Sequence, residues 1–175
     1  MNWVDVADTA VKIGLGALVA GAFGYFTAKL GHESERRARY SQRRRDHIEG
    51  ILKLLTEVET KYNTQKWRLE CYRFYLLSGD LDKAKEEQRQ FDESLQQLRS
   101  ATKVFRQSSS VLLLLGDTSS DKLLWVYCHV INNWLQQSDL DPSIFSDERA
   151  EKLTTGVDSA REKLFASLAQ SYKES

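Results

Sequence analysis

The side chains able to do chemistry are few, and their spacing assembles no reaction centre. Three histidines (His32, His47, His129) and two cysteines (Cys71, Cys128) supply all the imidazole and thiol. No metal-ligand spacing joins them. Cys128 and His129 are adjacent, so on a helix they point ~100° apart and cannot act as nucleophile and base together. His129 reads as an ordinary helix residue. There is no Glu-x-x-His pair, so the carboxylate-bridged di-iron site of some helical bundles has no support. The stretch GDTSSDK (116–122) lacks the GxxxxGK[ST] spacing of a phosphate loop and reads as a turn with helix-capping residues. The expectation is a non-enzyme, with no catalytic residue, cofactor or metal.

The run Arg43-Arg44-Arg45-Asp46-His47 invites one further check. Small helical ribonucleases of the HEPN type carry an Arg, then four to six intervening residues, then a His. Counting back from His47 gives Gln42, Ser41 and Tyr40; from His129 it gives Leu124, Leu123 and Lys122; His32 fails as well. The nuclease pattern is not met.

What remains is organisation, and residues 6–45 dominate it. Ile13 to Ala28 carries no charge, about 24 Å of helix at ~1.5 Å per residue. A bilayer core is roughly 30 Å thick. Thr9 to Leu30 reaches about 33 Å if Lys12 and Lys29 lift their ammonium groups to the two interfaces. Trp3 and Tyr25 would then lie near opposite headgroup regions. A cleaved signal peptide would need a basic start and a small-x-small cleavage site; here Asp5 and Asp8 precede any lysine and the basic cluster follows the apolar run. A soluble core helix would be a poor home for Gly14, Gly16, Gly21 and Gly24. The sequence predicts an uncleaved single-pass anchor. Lys29, Arg36, Arg37, Arg39, Arg43, Arg44 and Arg45 follow it, so the C-terminal side is expected to be cytoplasmic and the N-terminus outside. This basic cluster suits an anionic membrane surface.

Within the anchor, Ala10, Gly14, Ala17, Gly21, Gly24 and Ala28 recur at 4-3 spacing. Such a small-residue seam lets helices of separate copies approach closely, and a homo-oligomer is expected. Leu15, Val19, Phe23 and Phe26 fall on the lipid side. Asp5, Asp8 and Lys12 are expected at the headgroups, with Asp8 and Lys12 paired four residues apart.

The remainder reads as soluble helix. Twenty-five basic and 25 acidic residues balance, which argues against a nucleic-acid partner. The widely spaced cysteines suit a reducing compartment, and both read as buried packing residues. A single proline, Pro142, suits long helices. Ile51, Leu55, Val58, Tyr62, Gln65, Leu69, Tyr72 and Leu76 form one buried stripe, with Trp67, Phe74 and Tyr75 expected to broaden it. Ser78-Gly79-Asp80 is the turn. Leu81, Ala84, Gln88, Phe91, Leu95, Leu98, Thr102 and Phe105 carry a second helix, with Val111–Leu115 continuing it and Gly116 closing it. A third helix, about Ser120 to Gln137, is expected to be the most buried; residues 138–143 form a loop. Ser146 or Asp141 can cap a fourth helix with its stripe at Leu153, Val157, Ala160, Leu164, Leu168 and Tyr172. The fold expected is all-α: a transmembrane helix continuing into a cytoplasmic four-helix bundle. Its parts are an anchor (1–30), a basic juxtamembrane helix (31–47) and the bundle (48–175).

This layout, carried by the uncharged stretch 13–28, the seam 10–28 and the helical remainder, resembles the small membrane accessory proteins of type VI-B CRISPR systems, and more broadly the membrane-acting effectors of bacterial antiviral defence. The resemblance implies a bacterial inner-membrane protein forming a ring of copies around a channel that depolarises the membrane. It assigns no functional residue. The competing expectation is a passive tether whose bundle binds a cytoplasmic protein.

Overall fold

A computed structural model of the chain describes the backbone of residues 3–140 and 147–174, with side chains for 24, 25, 27, 29–139 and 148–174. The elements are all helical: α1 Trp3–Ser78, α2 Leu81–Ala101, α3 Val104–Leu114, α4 Thr118–Leu140 and α5 Asp147–Lys173. The chain divides into two units, Met1–Arg43 and Arg44–Ser175. Among the described residues no helix is long and apolar enough to cross a membrane. Most of the expected span, Ile13 to Ala28, lies outside the residues whose side chains are described, as do Asp5, Asp8 and Lys12 and the proposed caps Asp141 and Ser146.

The second unit is a packed bundle of four rods: α1 from Arg44 onward, α2 with α3, α4, and α5. Cross-rod pairs fix the directions. Glu49 meets Tyr172 and Glu59 meets Arg161, so α1 and α5 run antiparallel. Lys61 meets Gln97 and Arg68 meets Glu87, so α1 and α2 do too. Ser120 meets Ser167 and Gln137 meets Arg149, so α4 runs antiparallel to α5 and hence parallel to α1, with Gln65 bonded to Trp134 and Ser138 between them.

The core follows the 4-3 spacing. Ile51, Leu55, Val58, Tyr62, Gln65 and Leu69 are buried along α1, joined by Ile48 one turn earlier. Phe91, Leu95, Leu98 and Phe105 come from α2 and α3; Leu124, Tyr127, Ile131 and Trp134 from α4; Val157, Ala160, Leu164 and Leu168 from α5. Gly79 and Gly116 close the first two rods with φ of 79° and 72°, where a side chain would be strained. Asp80 caps α2, its carboxylate accepting from the Lys83 amide at 3.2 Å.

Several expectations need correction. Trp67 and Phe74 do not broaden the core stripe of α1; they are exposed. Trp67 lies two residues from both Gln65 and Leu69, ~200° around the helix from them, which turns it outward. Leu81 and Gln88 are exposed. The second rod is not one helix but two, because Thr102 and Lys103 tighten the chain through three-residue hydrogen bonds, Lys103 amide to Ser100 carbonyl and Phe105 amide to Thr102 carbonyl. Val111–Leu114 is helical as expected, with Leu115 the C-cap of α3, yet of these leucines only Leu112 is buried. Helix α4 extends over Ser138, expected in a loop, because Ser138 is buried and bonded to Gln65. Cys71 is only half-buried, whereas Cys128 is buried.

Candidate functional site

In the first unit, Gly24 is the one residue of the Gly/Ala seam whose surroundings are described; Ala10, Gly14, Ala17, Gly21 and Ala28 lie outside that set. A Cβ added at Gly24 would meet nothing within 4 Å. Tyr25 and Leu30 are exposed, and Lys29, His32, Glu33 and Arg36 line a shallow surface groove with Tyr25. Arg36, Arg37, Arg39 and Arg43 project into solvent. Arg39 is tied to Glu35 at 3.2 Å, both largely exposed, a contact of small energy.

Arg44 and Arg45 sit differently from the rest of the basic run. Both are half-buried in the second unit. Arg45 lies 5.8 Å from the centre of the Tyr172 ring. The Tyr172 hydroxyl donates to Glu49 at 2.9 Å, and that carboxylate raises its pKa. Arg44 lines a cavity of about 270 Å³ with Gly116, Asp117, Ser167, Ser171 and Glu174. Here Asp117 caps α4: one carboxylate oxygen accepts from the Ser120 amide at 2.9 Å, the other from the Ser171 hydroxyl. Ser120 and Ser167 share a hydrogen bond of 2.8 Å. Burial opposes the Asp117 charge, but the bonds from Ser171 and Ser120, with Arg44 nearby, outweigh it and hold the carboxyl below its ordinary value. The capping signal in residues 117–122 was readable; Ser171, 54 positions away, had none.

Two groups of large apolar side chains lie outside the core. Trp67, Phe74, Leu77 and Leu81 occupy the end of α1 and the start of α2; Leu113, Leu114, Trp125 and Val126 occupy α3 and α4. Trp125 is partly tied down, donating to the Ser109 hydroxyl at 3.3 Å. Trp134, by contrast, is a core residue at 1% exposure.

Burial raises the Cys128 thiol pKa, and its sulfur accepts from Asn132 at 3.4 Å. His129 is exposed. Among the described residues no group of three or more His, Cys, Asp or Glu could hold a metal. No family model, curated protein or solved structure matches the chain.

Proposed function

We propose that this chain is a membrane-anchored, homo-oligomeric helical protein that perturbs or perforates a bilayer, an effector or accessory of bacterial antiviral defence. The observation that carries the reading is the uncharged stretch 13–28 with its seam of Gly and Ala. Two described features are compatible with it. Among the described residues nothing lies within 4 Å of a Cβ added at Gly24, which leaves room there for a neighbouring helix at the seam. Tyr25 and Leu30 present apolar surface outward beside Lys29, as a lipid-facing segment with an interfacial anchor would. In this reading the N-terminus faces outward, residues 31–47 continue the membrane helix on the cytoplasmic side, and Arg36, Arg37, Arg39 and Arg43 ring its base beside anionic headgroups.

The test is the detergent-corrected mass of the purified chain, followed by dye leakage from liposomes. A closed oligomer and leakage are expected, and Gly21→Leu with Gly24→Leu should abolish both. Unchanged oligomers in that double variant would sink the seam.

The exposed apolar groups at both rod junctions also favour a second reading, a tether whose bundle docks a cytoplasmic protein. Replacing residues 1–30 by an unrelated membrane helix separates the two. Function survives the exchange in a tether and is lost in a seam-built assembly.

A further inference from the structure

Between α4 and α5 lies a groove of about 410 Å³, open to solvent on one side. One side of each helix builds it. Arg149, Lys152, Leu153 and Gly156 come from α5 at 3-1-3 spacing, and Val130, Asn133 and Gln137 from α4 at 3-4 spacing, so each set shares a side of its helix. All of these residues belong to the second unit, and the groove is independent of the anchor.

A missing side chain makes the room. Gly156 stands inside α5, a setting that disfavours glycine, and a Cβ added there would meet nothing within 4 Å. Its neighbour Val157 is buried in the core, so the packed wall of α5 loses its outer layer at Gly156. Val130, Leu153 and Gly156 are half-buried and form an apolar base, while Arg149 and Lys152 are exposed at the rim. Arg149 donates to the Gln137 side-chain oxygen, which leaves Gln137 its NH2 group as a donor. Asn133 supplies a second amide. Lys152 has no ion-pair partner among the described residues. Among those residues no carboxylate lines the groove.

We infer that this groove binds a small organic carboxylate with an apolar body. The body covers Val130, Leu153 and Gly156, and the carboxylate meets Lys152 and Arg149 through charge-assisted hydrogen bonds. The volume falls in the range of small-molecule sites, roughly 300–1,000 Å³. Other classes fit worse. A metal cation would find no anionic ligand, and a nucleotide would find no aromatic ring to stack its base. A wholly apolar molecule would leave two cations and two amides unused.

The test is calorimetric titration of the full-length chain in lipid nanodiscs, with empty nanodiscs as the blank. The ligands are 4-phenylbutyrate, 4-phenylbutan-1-ol, which keeps the body and lacks the charge, and acetate, which keeps the charge and lacks the body. Phenylbutyrate should saturate a single site, with the alcohol about tenfold weaker or more and acetate silent at the same concentrations. Lys152→Gln should weaken phenylbutyrate by about tenfold. Gly156→Leu should abolish its binding by filling the base, without lowering the thermal midpoint, since leucine favours a helix over glycine. Three results would overturn the inference: no saturable heat with phenylbutyrate, the alcohol binding as tightly as the acid, or wild-type binding in Gly156→Leu.

Discussion

Replacing Asp117 by alanine removes the α4 cap and the acceptor for Ser171 together. The loss of the cap alone should cost about 1–2 kcal/mol, measurable by urea unfolding. The pH sign follows from its lowered pKa. A carboxyl depressed in the fold contributes stability above its unfolded value, about 3.9, and loses it as pH falls through the folded one. The gap in stability between wild type and Asp117→Asn should therefore narrow from about pH 4 downward. A gap that stays constant to pH 2 would remove Asp117 from this role. Gln65 offers a second case. It accepts from the Trp134 indole and donates to Ser138 at 3.3 Å inside the core. Gln65→Leu should cost about 1–3 kcal/mol by removing the acceptor of the buried indole, again read by urea unfolding.

At the scale of helices, the 4-3 spacing carried most of the information. It located the buried face of α1 from Ile51 to Leu69 and that of α5 from Val157 to Leu168. It erred where composition was mistaken for direction: Trp67 and Phe74 are large and apolar, yet their positions point away from the stripe. The division of α2 from α3 was not readable. Residues 101–103 contain neither Gly nor Pro, and Thr102 and Lys103 keep ordinary right-handed helical angles. The two turn glycines were readable because each follows the end of an apolar stripe, where a helix closes on a glycine, and both have a positive φ. Gly50 and Gly156 are different, since each lies inside a helix with nothing within 4 Å of an added Cβ. Gly50→Ala and Gly156→Ala should each stabilise by roughly 0.5–1 kcal/mol, and the two gains should add. Gly24 shares that open setting, so openness alone names no partner. What separates it is its place among Gly and Ala at regular spacing.

Across the whole molecule, the apolar side chains fall into two energetic classes. Leu77 and Leu114 are about as exposed as a leucine can be, at 85% and 86%. Changing either to lysine should alter stability by no more than about 0.5 kcal/mol, whereas Leu124→Ala in the core should cost about 2–5 kcal/mol. A large loss at Leu77 or Leu114 in the purified assembly would mean that another copy covers it. The candidate site was less legible than the fold, because the sequence could mark Arg44 and Asp117 as charged but not bring α1 beside α5. That same pairing shapes how the protein is made. Glu49 waits for Tyr172 and Glu59 for Arg161, partners 123 and 102 positions later. On a ribosome adding ~5–20 residues per second, the apolar stripe from Ile48 to Tyr62 stays uncovered for on the order of 10 seconds after it emerges. The first helix synthesised is thus among the last to be sheltered, and a chaperone that binds nascent apolar segments would find its target there.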